Sequence, residues 1–307
     1  MKVKFLAVLT AALVASPAAA QVLFSDDLSD GTGWGVNAFG DGDHLATFGY
    51  DYSVDAIPEA PNNLGGTATT GVKLEANIVD PGAAAGFTIY PIGQSFSGEY
   101  QLRFDAWMNY DLDTRLNGGA AGTTEFIGGG IGYDSTTPDI GVGAQLIATG
   151  EGGSGSDWRA FADGTFLANE DMVAGSRNGF VPYYADFLPG VPAPAGQFQL
   201  ETGPGVAGSP GFQWITFEIN TANGKSRMLI EKPGGDQLII TNIDLPYTSD
   251  GNIGIYYADL FSSVTTSPFY TFGIVDNVVV TQIPEPTTAG LAAITLAGVA
   301  ARRRRLG

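Results

Sequence analysis

The chain has 307 residues, 44% hydrophobic and 15% charged, with 44 Gly, 17 Pro, one His and no Cys, and its 32 acidic against 14 basic residues leave a formal charge of −18. One His and no Cys exclude His/Cys zinc sites, thiol nucleophiles, haem and iron–sulfur ligation, and leave any Ser-His-Asp arrangement dependent on His44 alone. The acidic excess argues against nucleic acid and anionic lipid as partners and offers many carboxylates for calcium, while the Gly and Pro content stays below that of a disordered, low-complexity chain.

At the amino end, Lys2 and Lys4 form a positive n-region, Phe5 to Val14 an apolar run, and Ala18-Ala19-Ala20 a set of small residues. This order predicts a signal peptide over 1–20, cut by signal peptidase at the Ala18/Ala20 motif, with Gln21 first in the mature chain. Absence of cysteine is compatible with export, because an oxidising compartment permits disulfides without requiring them.

From 21 to 282 the chain shows no heptads, no long helical periodicity and no repeat, but many short alternating runs bounded by Gly, Pro, Asn and Asp, which predict a single β domain. Val72, Leu74, Ala76 and Ile78 alternate with Lys73, Glu75 and Asn77. Leu102 to Asp113 predicts the longest strand, with Leu102, Phe104, Ala106, Met108, Tyr110 and Leu112 on one face and Arg103, Asp105, Trp107, Asn109, Asp111 and Asp113 on the other. The stretch from Gly150 to Gly211 reads as long decorated loops, Gly-Ser-rich at first, then with a short helix around Leu167 to Ala174, then Pro-rich. Strands resume with Ile215, Phe217 and Ile219 against Trp214, Thr216, Glu218 and Asn220, then Lys225 to Lys232, Gln237 to Ile243, Gly251 to Ala258 and Phe272 to Thr281. Asn223-Gly224 and Gly234-Gly235 are the expected hairpin turns. The length and spacing fit an all-β, two-sheet antiparallel jelly-roll sandwich better than an immunoglobulin module of about 100 residues. The strand from Trp214 to Asn220, its Asn-Gly turn, the strand from Lys225 to Glu231 and Asn252-Ile253-Gly254-Ile255 resemble the carboxyl half of concanavalin-like and laminin-G-like sandwiches.

Several motifs in this body carry chemistry only in part. Gly152-Gly153-Ser154-Gly155-Ser156-Asp157 matches the start of the calcium-binding nonapeptide of β-helices, but it occurs once and Arg159 stands where an apolar residue belongs. Asp41-Gly42-Asp43 and Asp111-Leu112-Asp113 begin like EF-hand loops, but Leu45 and Arg115 occupy the fifth positions. Asp26, Asp27 and Asp276 lie near the two ends of the domain, where the first and last strands of a jelly roll run side by side, and are candidates for a shared structural calcium; the alternative is turn carboxylates that cap backbone amides. Trp107 between Asp105 and Asn109 is the candidate carbohydrate platform, with Tyr256, Tyr257 and Trp158 able to join it; the alternative places Trp107 under the loops in a second core layer. Glycan hydrolysis needs two carboxyls about 5–9 Å apart, and the Glu-x-Asp-x-x-Glu run of concanavalin-like glucanases is missing. Asp105, Asp111 and Asp113 share a face through alternation alone, so no catalytic residue is assigned.

The carboxyl end, 283–307, has three parts: Ile283-Pro284-Glu285-Pro286, an apolar stretch from Thr287 to Ala301, and Arg302, Arg303, Arg304 and Arg305. The prolines around Glu285 keep that segment extended, and the apolar stretch, about 22 Å long as a helix, is short for a hydrocarbon core of about 30 Å. Four arginines halt translocation. Pro284, Glu285 and Pro286, the short apolar helix and the arginine cluster resemble the PEP-CTERM sorting signal of exopolysaccharide-producing Gram-negative bacteria. The resemblance implies transient anchoring in the inner membrane, cleavage by an exosortase-type protease and delivery to the cell surface or extracellular matrix; a short tail anchor that stays in place is the alternative. The function expected is that of a non-enzymatic, exported surface or matrix protein that binds or packs within extracellular polysaccharide. A concanavalin-like polysaccharide hydrolase or lyase and a purely structural matrix protein are the alternatives.

Overall fold

The computed structural model describes residues 20–284 except 41–42, 67, 79–83, 118–124, 139–142, 245–246 and 262–267. The expected signal peptide up to residue 19, including Ala18, and the sorting segment with Glu285, Pro286 and Arg302 to Arg305 lie outside the described residues; Ala20 and Pro284 lie within them and are exposed.

In chain order the strands are β1 (Gln21–Asp26), β2 (Trp34–Phe39), β3 (His44–Asp51), β4 (Thr70–Ala76), β5 (Ala85–Pro91), β6 (Tyr100–Asn109), β7 (Glu125–Tyr133), β8 (Ala144–Thr149), β9 (Trp158–Ala162), β10 (Thr165–Phe166), β11 (Ile215–Ala222), β12 (Lys225–Glu231), β13 (Gln237–Asp244), β14 (Asn252–Asp259) and β15 (Phe272–Gln282). Among the described residues two short α-helices, α1 (Leu112–Leu116) and α2 (Pro182–Ala185), interrupt them. One sheet runs β13-β12-β11-β6-β15-β4-β3 with β1 also on β15, and the other β10-β9-β8-β7-β14-β5-β2, all pairs antiparallel. This is the two-sheet jelly-roll sandwich. Its first and last strands pair, as expected, with Asp26 opposite Val278.

Alternation builds the layer between the sheets. Leu102, Phe104, Ala106 and Met108 of β6 meet Ile215, Phe217 and Ile219 of β11 on one side, and Ile127, Leu146, Ile255 and Tyr257 on the other. The Phe104 and Phe217 rings stack at 5.1 Å between centroids. Gly129 faces this stack, where an added Cβ would come within 2.9 Å of the Phe104 ring, so only glycine fits. Asn223 and Gly224 both have positive φ, 54° and 74°, as a two-residue hairpin between β11 and β12 requires.

Three expectations are corrected. Strand β6 ends at Asn109, and Leu112 and Asp113 belong to α1: the Leu112 N–H donates to Gln199 Oε1 and the Tyr110 carbonyl accepts from Gln199 Nε2, so the chain turns away from the sheet. The helix expected around Leu167 to Ala174 is a single 3-10 turn at Asn169–Asp171, and α2 comes later, opened by Pro182. The polar face of β6 is also not a solvated face. A second apolar cluster of Tyr52, Ile57, Ala60, Trp107, Trp214, Phe272 and Ile274 covers its upper half beneath the loops that follow β3 and α2.

A candidate binding cleft over a buried aspartate pair

On the outer face of the eight-stranded sheet, the register sets Asp105 of β6 directly opposite Asp276 of β15 and opposite Thr216 of β11. Two carboxylates directly opposite each other repel, and both are buried, at 0% and 4% exposure. The strand resolves this with a bulge. Pairing between β15 and β6 slips between Asp276 and Val279, with Asn277 at φ +56°, a left-handed conformation that Asn tolerates better than most residues. The bulge aims the Asn277 amide at its surroundings: Nδ2 donates to Asp105 Oδ2 at 2.9 Å, Oδ1 accepts the Leu64 N–H at 3.1 Å, and its own N–H donates to Asp276 Oδ1 at 2.7 Å.

Asp105 also accepts from the Asn62 N–H at 3.0 Å, Asn62 Nδ2 at 2.7 Å and Thr216 Oγ1 at 2.6 Å. Burial raises its pKa, and these donors act against that rise. Asp276 accepts from the Tyr52 hydroxyl at 3.0 Å. Burial pushes it up to about 7, helped by the negative charges of Asp105 and Asp27 and opposed by its two donors. The pair and Asn277 therefore clamp Asn62 and Leu64 onto the sheet, and Tyr52, bonded to Asp276, holds the Ala60 N–H.

Beside the clamp the surface opens into a cleft of about 520 Å³, walled by Pro61 to Leu64 on one side and by Arg103 and Val279 on the other, with Thr216 and Asn277 in its floor. Arg103 is held at the mouth by Glu218 at 3.2 Å and Glu231 at 3.0 Å, and Glu218 also accepts from Asn220 Nδ2. The walls combine apolar Pro61, Leu64 and Val279 with the amide of Asn63 and a planar guanidinium. This mixture suits a ring with one C–H face and a rim of hydroxyls. Asn62 and Thr216 cover Asp105, and Tyr52 and Asn277 hold Asp276, so neither buried carboxyl opens into the cleft.

The residues singled out in sequence fall into different places. Trp107, 3% exposed, packs edge-on against Trp214 at 5.8 Å and donates through Nε1 to Asn109 Oδ1. Asn109 is 0% exposed and its amide is bound to Tyr270 and Gln197. No indole face is open to a sugar, so the expected platform of Asp105, Trp107 and Asn109 is corrected to a second core layer, and Asp105 alone of the three supports the cleft. Asp26 accepts the Leu28 N–H at 2.7 Å, and Asp27 accepts the Ser29 N–H and hydroxyl at 3.1 and 2.6 Å. With Asp276 held by Tyr52 and Asn277, these three carboxylates serve turns and the clamp and do not converge as a calcium cage. Among the described residues no three acidic or His side chains could hold a metal ion. Asn62, Asn63, Arg103, Thr216 and Glu218 were not singled out. The alternation does put Arg103 beside Asp105 and Thr216 beside Glu218, but nothing local pairs the two strands or brings 61–64 over them.

Compared with known proteins, residues 282–305 match the model of the PEP-CTERM protein-sorting motif. No curated protein matches the chain in sequence. Among solved structures, it is similar to the exoplasmic/lumenal domain of VIP36 in its Ca2+/Man3GlcNAc-bound form, with TM-score 0.43, 8% identity, and 87% of this chain and 91% of that one covered. It is also similar to a galectin-like protein of unknown function from Bacillus subtilis, with TM-score 0.42, 11% identity and 87% and 97% covered. The carbohydrate-binding module CBM66 from Bacillus subtilis aligns with TM-score 0.35, 10% identity and 68% and 84% covered. The chain carries a PEP-CTERM sorting signal at its carboxyl end and is an exported protein.

Proposed function

We propose that the protein is a non-enzymatic polysaccharide-binding protein of the cell surface or extracellular matrix, and that it binds its glycan in the cleft between Pro61–Leu64 and Arg103. In this reading signal peptidase removes 1–20, an exosortase-type protease removes the segment 283–307, and the β-sandwich of 21–282 is the mature unit. The observation that carries it is the cleft itself, whose floor and one wall are fixed by four hydrogen bonds to Asp105 and whose guanidinium is oriented by two carboxylates before any ligand arrives. Such preorganisation lowers the entropic cost of holding a flexible glycan. The absence of an exposed carboxyl pair in the cleft favours binding without turnover.

A glycan array on the purified protein, followed by reducing-end analysis of each glycan bound, tests this. Binding without product is expected, with Arg103→Ala weakening it at least about tenfold and leaving the fold intact. Equal binding by Arg103→Ala would remove the cleft. Accumulating reducing ends would replace the proposal with the hydrolase reading, and an array with no bound glycan would replace it with the structural one.

A further inference from the structure

The outer face of the other sheet carries a feature that the cleft does not use. Along β9, Trp158 and Ala160 enter the core between the sheets, so Arg159 and Phe161 point outward. The Arg159 guanidinium lies 4.3 Å over the Phe126 ring, 5.7 Å from that of Phe166 and 5.9 Å from that of Phe261. Arg177 reaches the same Phe166 ring at 4.1 Å, steadied by Asn169 Oδ1 and the Leu167 carbonyl. Two like charges thus share one ring. Among the described residues neither forms an ion pair. Of the nearby acids, Asp157 accepts from Thr149, Ser154 and Gly179 and acts on Arg159 through its charge alone, Asp171 accepts from the Ala168 N–H, and Glu170 lies exposed in the adjoining 3-10 turn. Burial and the neighbouring Arg177 lower the pKa of Arg159, while Tyr256 and the charge of Asp157 act against that fall.

In a chain with 32 acidic and 14 basic residues, two guanidiniums at one ring, with no ion pair among the described residues, are a local concentration of positive charge. Arg159 bonds through Nε to the Ser156 carbonyl, a bond that does not use its terminal nitrogens. Phe261 is 46% exposed, whereas Phe166, 40% exposed, is stacked on Phe161 at 5.0 Å between centroids and carries Arg177 4.1 Å over its ring. A planar fork binds a carboxylate in bidentate fashion, and an aromatic ring takes the C–H face of a pyranose. We propose that Arg159 and Arg177 form a second site, for the carboxylate of a uronic-acid unit in an acidic polysaccharide, with Phe261 carrying the sugar face. It lies on the opposite side of the sandwich from the cleft, so one molecule can hold two polysaccharide chains.

The test is calorimetric titration of the purified protein with trigalacturonate, its fully methyl-esterified form and inorganic sulfate. Trigalacturonate should bind with an affinity that falls as salt rises. Arg177→Gln should weaken it at least about tenfold and Arg177→Lys less, since lysine keeps the charge and loses the fork. In protein that already carries Arg103→Ala, which removes the cleft, binding should persist and Arg177→Gln should still weaken it at least about tenfold, which separates this site from the cleft. Equal binding of the methyl ester, equal binding by Arg177→Gln, loss of binding in Arg103→Ala, or displacement by sulfate at the concentration of the oligomer would each overturn the assignment. Because Arg159 also packs on Phe126, the Arg177 variants carry the test and Arg159→Gln serves only as confirmation in protein whose melting is unaltered.

Discussion

The buried pair of Asp105 and Asp276 makes stability depend on pH with a definite sign. Asp276 titrates near 7 in the folded chain against an ordinary 3.8, because burial and the charges of Asp105 and Asp27 disfavour its ionised form. A folded pKa above the unfolded one means that the folded state holds the proton longer. The stability linked to it is therefore complete below about pH 4 and is lost as pH rises through about 7. A shift of about three units corresponds to roughly 4 kcal/mol between pH 4 and pH 8, or about 8–16 °C in melting temperature for a domain of this size. Asp105 and Glu125, also raised by burial, add to the same trend, so the wild-type slope alone does not isolate Asp276. The Asp276→Asn variant does. Its side-chain oxygen can still accept from the Asn277 N–H, and the Tyr52 hydroxyl can turn its proton to the Ala68 carbonyl, 3.1 Å away. Differential scanning calorimetry of both proteins from pH 5 to pH 8 should show the variant gaining on the wild type as pH rises and overtaking it near pH 8. Parallel curves, or a wild type that gains stability with pH relative to the variant, would refute a protonated Asp276 in the folded state.

Trp107→Ala should lower stability by about 3–5 kcal/mol, through the cavity it leaves against Trp214, and glycan affinity should fall only as far as the folded fraction falls in parallel melts. Asp26→Ala should lose about 1 kcal/mol from the Leu28 turn, equally in calcium and in chelator; a calcium-dependent difference would restore a metal role. Intact-mass analysis of protein from its native envelope or medium should find neither 1–20 nor the tail beyond about Ile283, and a mature species that keeps Arg302 to Arg305 would point to a retained anchor.

The sequence by itself determined the sorting signal and the fold class. A PEP-CTERM tail is a linear signal, complete in the order of its residues, and the match at 282–305 agrees with that reading. Period-two alternation and the Asn-Gly turn are likewise local, because the pleat and the sign of φ are settled within a few residues, and β6, β11 and β12 form where the alternation runs. Tertiary structure alone decided which polar faces meet water. Alternation identifies two faces of β6 but gives no account of what covers the second, and Trp107 is buried because residues near 57–60 return over it from another part of the chain. The same holds for Asp105 and Asp276, 171 positions apart in numbering, which become neighbours only through the pairing of β15 with β6. Arg159 and Arg177 meet over Phe166 because the chain beyond β10 folds back along β9. Both candidate sites are built from strand register and loop return, long-range properties that no local spacing of residues encodes.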